Sequence, residues 1–317
     1  MLGQIGFDGK TKLDVTLERI RAFEPKNGDG YYLAFSGGKD SQCIYHLAKM
    51  AGVKFEAHYA VTSVDPPELI YFIRENYPDV IFDIPHDKDG KRISMWSLIR
   101  ANGTVPTRLL RFCCRDLKER YNAPGKLVMT GVRWSESLNR RKNQGAVTII
   151  GKNTKNLKRE LDEIGANYAN SEKGGLVLNM DNDENRRSVE ICYRTHKTLV
   201  NPIIDWDEAE VWEFLNEIVK VPHCSLYDEG QTRIGCIGCP MGRAKGMKRE
   251  FERWPKYKDL YLRTIKKTVE EHPQKYLEPP TNATNAYWYN EMMRRTGGLP
   301  DADVMTDIVF EWWTNDR

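Results

Sequence analysis

The sequence has no apolar run near the roughly 18 residues that a membrane span needs, no internal repeat and no low-complexity tract. Its first ten residues, Met1 to Lys10, lack a basic start, an apolar middle and a small-residue cleavage site, so a cytoplasmic protein without membrane attachment is expected. Strong net charge is also missing. The formal value of +3 is too small to announce a nucleic-acid binder by itself, although the distribution of charge counts for more than the sum. Nor is there an even set of cysteines. Seven, among them one adjacent pair and one C-x-x-C, suit thiolates kept reduced for metal or redox chemistry better than a secreted disulfide framework. What is present is 40% hydrophobic residues in 317, enough to bury a core in one large domain or two modest ones.

Apolar spacing predicts a leading amphipathic helix over 11–23 and a loop from Pro25 to Gly30. Tyr31 to Phe35 then forms a short apolar run that stops at Gly37-Gly38, and after Asp40 the period changes to Cys43, Ile44, Leu47 and Ala48, giving strand, tight loop, helix. Further apolar runs at 55–61, 80–84 and 126–130, with a helix over 68–76, predict an α/β fold: a Rossmann-like, doubly wound, mainly parallel sheet. Residues 141–198 are polar, with Gly174-Gly175 and an Asp/Asn stretch at 181–185, and read as an excursion carrying a helix and a short strand. From Asp205 the pattern turns helical. The expected division is an α/β domain over 1–204 and a helical, cysteine-containing region over 205–317. Trp288, Trp312 and Trp313 are expected to pack back on the body.

The segment Ser36-Gly37-Gly38-Lys39-Asp40-Ser41 lies between the first strand and its helix. Two glycines there let backbone N–H groups turn inward beside a helix N-terminus, which makes an anion site before any side chain acts. Lys39 adds a charge, Ser36 and Ser41 add hydroxyls, and the spacing is not the Walker pattern. A glycine pair by itself is equally a plain strand-to-helix turn. As a whole, SGGKDS resembles the pyrophosphate loop of the N-type ATP pyrophosphatases (PP-loop proteins), the superfamily that holds phosphoadenosine-phosphosulfate (PAPS) reductases, ATP sulfurylase small subunits and sulfur-inserting enzymes.

The resemblance runs in order over residues 30–245. Thr62 to Glu68 stands where the family's second strand ends, and Asp65 resembles its ribose- or metal-facing carboxylate. Pro106, Arg108, Arg111, Cys113, Cys114 and Lys118 resemble the R-W-C-x-x-x-L-K element. Gly131, Arg133, Glu136, Ser137 and Arg140 resemble G-x-R-x-x-E-S-x-x-R, and Pro202, Asp205, Trp206, Val211 and Trp212 resemble P-x-x-D-W...V-W. The resemblance implies an adenine nucleotide, ATP or alternatively PAPS or adenylylsulfate (APS), on Ser36 to Ser41 together with Asp65, Arg108, Lys118, Gly131, Arg133, Glu136 and Arg140. Lys39, Asp40, Asp65 and Arg133 would carry the chemistry, with Mg²⁺ on the phosphates. Arginine suits phosphate or sulfate oxygens because its guanidinium binds them in pairs.

Cys236-Ile237-Gly238-Cys239 has metal-ligand spacing, which alone fits a redox pair, half of a zinc site or part of a cluster site; Gly235 and Gly238 would let amides turn toward a bound group. Cys224 to Gly230, running into Gly235-Cys236, resembles the L-Y-D-x-G...G-C-x-x-C element of reductases that carry a [4Fe–4S] centre. Five cysteines then compete for four iron positions. Cys113, Cys236 and Cys239 rank first, then Cys224, then Cys114; the order reflects two patterns, one reductase-like and one nearer the DNA-phosphorothioation sulfurtransferases. A structural zinc is the alternative. Cys43 and Cys192 read as packing residues.

Two departures from the assimilatory reductases bear on the reaction. No cysteine follows Cys239, where those enzymes carry an E-C-G-x-H tail, and SGGKDS is the full loop of enzymes that cleave ATP between α and β phosphates. Both point to adenylation that drives sulfur transfer. A PAPS or APS reductase using an external thiol, and a catalytically idle nucleotide sensor in a larger assembly, are the alternatives; a sulfur donor or partner subunit is implied. Residues 241–267 hold ten Lys/Arg against three Asp/Glu, with Phe251, Trp254, Tyr257 and Tyr261 interleaved. That pattern fits either a nucleic-acid surface with stacking aromatics or a helix that buries its apolar face.

Overall fold

The computed structural model describes residues 2–5, 9–25, 28–119, 125–151, 154–172, 175–178, 189, 196–280 and 283–315. Gly174, the 181–185 stretch and Cys192 lie outside them. The chain divides into two compact units: Met1–Ala60, Glu68–Asp83 and Tyr121–Ile234 form one; Val61–Pro67, Ile84–Arg120 and Gly235–Arg317 form the other. This interleaved division differs from the single break at 204/205 expected from the sequence.

The first unit carries α1 (Lys12–Ala22), β1 (Tyr31–Ala34), α2 (Lys39–Ala51), β2 (Phe55–Ala60), α3 (from Pro67 to Asn76) and β3 (Ile81–Asp83). In chain order, α4 (Met95–Asn102) belongs to the second unit. The first unit resumes with β4 (Leu127–Met129), α5 (Leu138–Asn143), β5 (Val147–Ile150), α6 (Lys155–Glu163), β6 (Ala169–Asn170), β7 (Leu176–Leu178), β8 (Lys197–Val200) and α7 (Glu208–Glu213). Among the described residues the sheet has eight strands in the order β3-β2-β1-β4-β8-β5-β7-β6. β3, β2, β1, β4 and β8 pair in parallel; β5, β7 and β6 run antiparallel on the far side.

This is the expected α/β architecture, mostly parallel with flanking helices. The part missed from sequence is the 141–198 segment, which adds four strands to the sheet rather than one. Short strands such as Leu176–Leu178, buried on both faces, show no alternation and so no readable period.

The parallel centre places the site. Leu33 of β1 registers with Ala57 of β2 on one side and Met129 of β4 on the other. The chain leaves β1 through α2 toward β2, so the ends of β1 and β4 diverge into a crevice, the position where doubly wound sheets bind ligands. α2 is anchored by Cys43, Ile44, Leu47 and Ala48, none of them exposed. Burial of a side chain such as Ile44 or Leu47 contributes about 1.5–3 kcal/mol. Gly52, left-handed at φ 72°, ends the helix. Cys43 packs as expected, its thiol pKa pushed well up by burial.

The second unit adds to α4 the helices α8 (Arg243–Arg253), α9 (Pro255–Glu271), α10 (Pro273–Tyr276), α11 (Ala283–Thr296) and α12 (Ala302–Thr314). Its core is aromatic. Tyr261 is fully buried, Trp313 lies 4.8 Å from it ring to ring, and the Trp313 Nε1–H donates to the Pro106 carbonyl at 2.7 Å. Trp288 and Trp312 meet edge to face at 5.0 Å, so the closing tryptophans do pack back. No helix among the described residues is long and apolar enough to cross a membrane.

Candidate functional site

The loop after β1 is held by its own polar atoms. Ser36 Oγ accepts the Gly38 N–H at 3.4 Å and donates to Ser41 Oγ at 3.2 Å, and Ser41 Oγ donates to the Gly38 carbonyl at 2.8 Å. Gly37 sits at φ +72°, and a Cβ there would come within 2.6 Å of Ile73 Cδ1 and 2.8 Å of Leu69 Cδ1. Only glycine meets both conditions. The Gly37 carbonyl accepts from Gln42 Nε2 at 3.2 Å.

Gly131, after β4, stands against the first turn of α2: a Cβ would meet the Asp40 carbonyl carbon and oxygen at 2.9 Å. That close approach brings Arg133 onto α2. Its Nε donates to Asp40 Oδ1 at 2.7 Å, its Nη1 to Ser135 Oγ at 2.9 Å and its Nη2 to Glu208 Oε2 at 2.9 Å. Lys39, only 4% exposed, sets its ammonium 2.7 Å from the Thr232 carbonyl and 3.2 Å from Glu208 Oε1. Burial alone would raise the Glu208 carboxyl pKa; the Arg133 hydrogen bond and the Lys39 charge outweigh it and hold the group below the usual range. For Arg133, burial works against the charge and the Asp40 and Glu208 carboxylates more than offset it.

Glu136 accepts the Arg133 backbone N–H at 3.2 Å and pairs with the Arg140 guanidinium. Arg140 has a lowered pKa, from burial first and then from the like charges of Arg233 and Arg133, against the pull of Glu136 and Asp40. Three guanidinium groups in one electrostatic neighbourhood favour an anionic ligand. Thus Ser36 to Ser41, Gly131, Arg133, Glu136 and Arg140 come together in the first unit.

Asp205 and Trp206 take structural roles instead. Asp205 pairs with Arg19 at 3.2 Å and the Trp206 Nε1–H donates to Thr16 at 3.0 Å, tying α1 to the start of α7. Reading by motif missed Glu208, Tyr227, Thr232 and Arg233. Glu208 stands between Trp206 and Val211 of a motif already in view, and its place as first residue of α7, after the Asp207 cap, was the available signal.

The other residues of the expected site belong to the second unit. Asp65, 8% exposed, accepts the Thr62 N–H at 2.8 Å and the Thr62 hydroxyl at 2.7 Å. Arg108 is exposed. Cys113, Cys114, Cys236 and Cys239 all lie in this unit, whereas Cys224 lies in the first, where it is buried. Hydrogen bonding from Cys113, with a contact from Arg111 Nη2 at 3.6 Å, lowers the Cys114 pKa against burial, while the Cys113 pKa is raised by its bond with Cys114 and by burial. Its neighbours Cys236, Asp65 and Cys114 raise the pKa of the Lys118 ammonium against its burial. Thiolate is the ligand chemistry that iron–sulfur and zinc centres use, and four of the five candidate thiols belong to this unit. Among the described residues no three His, Cys, Asp or Glu groups stand at metal-holding separations.

One expectation is corrected here and one alternative is decided. The Gly238 amide donates to Glu250 Oε2 at 2.7 Å rather than being open toward a bound group, and burial pushes the Glu250 carboxyl up to about 7. Phe251, Trp254 and Tyr261 are buried at 4%, 7% and 0% exposure, so they form core and offer no faces for base stacking.

The fold and the cation cluster at its switch point define an α/β protein of the nucleotide-binding type. The chain matches the phosphoadenosine phosphosulfate reductase domain over residues 30–241 and belongs to that family, whose enzymes act on adenine nucleotides. An uncharacterized protein of Methanocaldococcus jannaschii, MJ0973, is 27% identical over 246 residues, which is 75% of this chain and 46% of that one. The adenosine 5'-phosphosulfate reductase of Allochromatium vinosum is 36% identical over 55 residues, 17% of this chain and 21% of that enzyme. Among solved structures, a phosphoadenylyl-sulfate reductase from Candida auris superposes at a TM-score of 0.40 with 14% identity, covering 74% of this chain and 96% of that one. The chain spans less than half the length of the curated relatives it matches.

Proposed function

We propose that this protein adenylates an acceptor with ATP and so drives transfer of sulfur to it. The observation that carries the reading is the joining of Lys39, Asp40 and Arg133 at the divergent ends of β1 and β4, beside Arg140 and Arg233. In this reading the phosphate chain lies on the Ser36–Ser41 loop, where Mg²⁺ would supply charge neutralisation. An acceptor oxygen forms a bond to the α-phosphorus, the bond to the β-phosphate oxygen breaks, and pyrophosphate leaves with the electron pair. Lys39 and Arg133 stabilise the charge that grows on it. Hydrosulfide then attacks the activated carbon or phosphorus of the acceptor, the new bond to sulfur forms, and the bond to the adenylated oxygen breaks with AMP leaving on the electron pair.

The thiols Cys113, Cys114, Cys236 and Cys239 would hold a [4Fe–4S] cluster, which would supply a sulfur-binding or redox centre; zinc is the alternate metal. Nucleic acid is the acceptor class that the exposed lysines and arginines of α8 and α9 favour, through phosphate contacts alone.

The family match and the reductase relative favour a second reading, reduction of PAPS or APS to sulfite by an external thiol. Protein purified anaerobically and incubated with ATP, and separately with PAPS and a dithiol, separates the two. Pyrophosphate and AMP from ATP support adenylation; sulfite from PAPS supports reduction; neither leaves a nucleotide sensor. Iron and zinc analysis with a visible absorption spectrum tests the metal assignment.

A further inference from the structure

Lys39 and Arg133 are both held by the segment 208–232. Glu208 sets Oε1 3.2 Å from Lys39 Nζ and Oε2 2.9 Å from Arg133 Nη2, one oxygen on each cation. The Lys39 backbone N–H, first in α2, donates to the Tyr227 hydroxyl at 2.9 Å, and the Lys39 ammonium lies 5.4 Å from the centre of the Tyr227 ring. Two carboxylate oxygens bridging a lysine and an arginine reproduce what two oxygens of a phosphoryl group do. Glu208 is also free to leave, since its side chain is 54% exposed. Glu208, Tyr227 and Thr232 line one side of a cleft of about 370 Å³ whose other walls include Trp212, His223 and Gln231.

We propose that Glu208 is an internal anion filling a phosphoryl subsite between Lys39 and Arg133, with Tyr227 covering the adjacent amide, so that phosphate binding is an exchange of carboxylate for phosphate. The proposal rests on the reading that this loop takes a phosphate chain. The exchange sets a threshold. A multiply charged chain displaces the single charge of Glu208, because both cations gain a stronger partner, whereas a neutral or singly charged ligand does not. Glu208 rotates into the cleft, and the Tyr227 hydroxyl gives up the Lys39 amide to a phosphoryl oxygen.

Calorimetric titration of the full chain with inorganic pyrophosphate tests the exchange. Glu208→Gln keeps the shape and removes the charge, and is expected to tighten binding about tenfold. Tyr227→Phe keeps the ring packing and is expected to tighten it about threefold. Asp228→Asn, which neutralises a carboxylate of the same loop paired with His223 at 2.9 Å, is expected to change it less than about twofold. Circular dichroism confirms folding of each variant. Binding by Glu208→Gln equal to or weaker than wild type, with Lys39→Ala still abolishing it, overturns the exchange and leaves the loop reading standing. An equal gain in Asp228→Asn reduces the effect to net charge and also overturns it. If neither wild type nor Glu208→Gln binds pyrophosphate, the loop reading itself has failed.

Discussion

Arg133 Nε stands 2.7 Å from Asp40 Oδ1, a charge-assisted bond that fastens the loop after β4 to the first turn of α2. Arg133 is 2% exposed, so the bond is made with little solvent to replace it. Arg133→Ala takes the bonded guanidinium from Asp40 and leaves Glu208 with Lys39 alone, and should destabilise the protein by about 2–4 kcal/mol in denaturant unfolding. Arg133→Lys should recover part of that, because it restores charge but not the three-way fork. Equal stability of the alanine variant and wild type would show that the clamp carries no weight.

At Gly37 backbone and space agree. Gly37→Ala must place a Cβ at φ +72° against Ile73 and Leu69, at a cost of about 2–4 kcal/mol. Shortening the neighbour in Gly37→Ala/Ile73→Val should return only the steric part. A melting temperature unchanged in the single variant would show that neither the left-handed backbone nor the crowding selects glycine here.

Acid should weaken the fold through His46. Its Nε2 lies 3.1 Å from the Tyr77 hydroxyl, which donates to Gln42 Oε1 at 2.9 Å, the residue bonded to the Gly37 carbonyl. Burial, then the Lys49 charge, lower the His46 pKa from 6.5 to about 4 despite Asp79. The folded value lies below the unfolded one, so His46 contributes stability in full above pH 6.5 and loses it as pH falls toward 4. Denaturant midpoints across that window should drop by the equivalent of about 1–3 kcal/mol, and His46→Gln should flatten the slope. Parallel curves for the two proteins would remove His46 from the account.

The basic helices separate packing from contact. Phe251→Ala should cost about 3–5 kcal/mol of stability and leave polyanion affinity of the folded protein unchanged, because the ring is buried. Charge reversal at exposed Lys256 and Arg263 should do the opposite, lowering affinity for single-stranded DNA and reducing its salt dependence. Loss of affinity in folded Phe251→Ala would restore a stacking role.

How much of this was legible in the sequence depended on the range of the signal. The Ser36–Ser41 loop could be read because a strand, two glycines and a helix are contiguous, and the local physics of an anion site is complete within them. Arg133 was found through a motif, but its partner Glu208 was not, because an acidic residue at a helix start looks like any favourable dipole contact. Tyr227 was read for its place beside Cys224, and only the fold brings its hydroxyl to the Lys39 amide. The aromatics of α8 and α9 left two readings open for the opposite reason: spacing on a helix gives which residues share a face, and not whether that face meets water or core.

Equilibrium binding of ATP and of inorganic pyrophosphate to wild type and Lys39→Ala tests the central claim most directly. Phosphate held at the exit of β1 predicts at least about a tenfold loss of affinity for both ligands in the variant, with adenosine binding unchanged. Undiminished pyrophosphate affinity in a folded Lys39→Ala protein would contradict it.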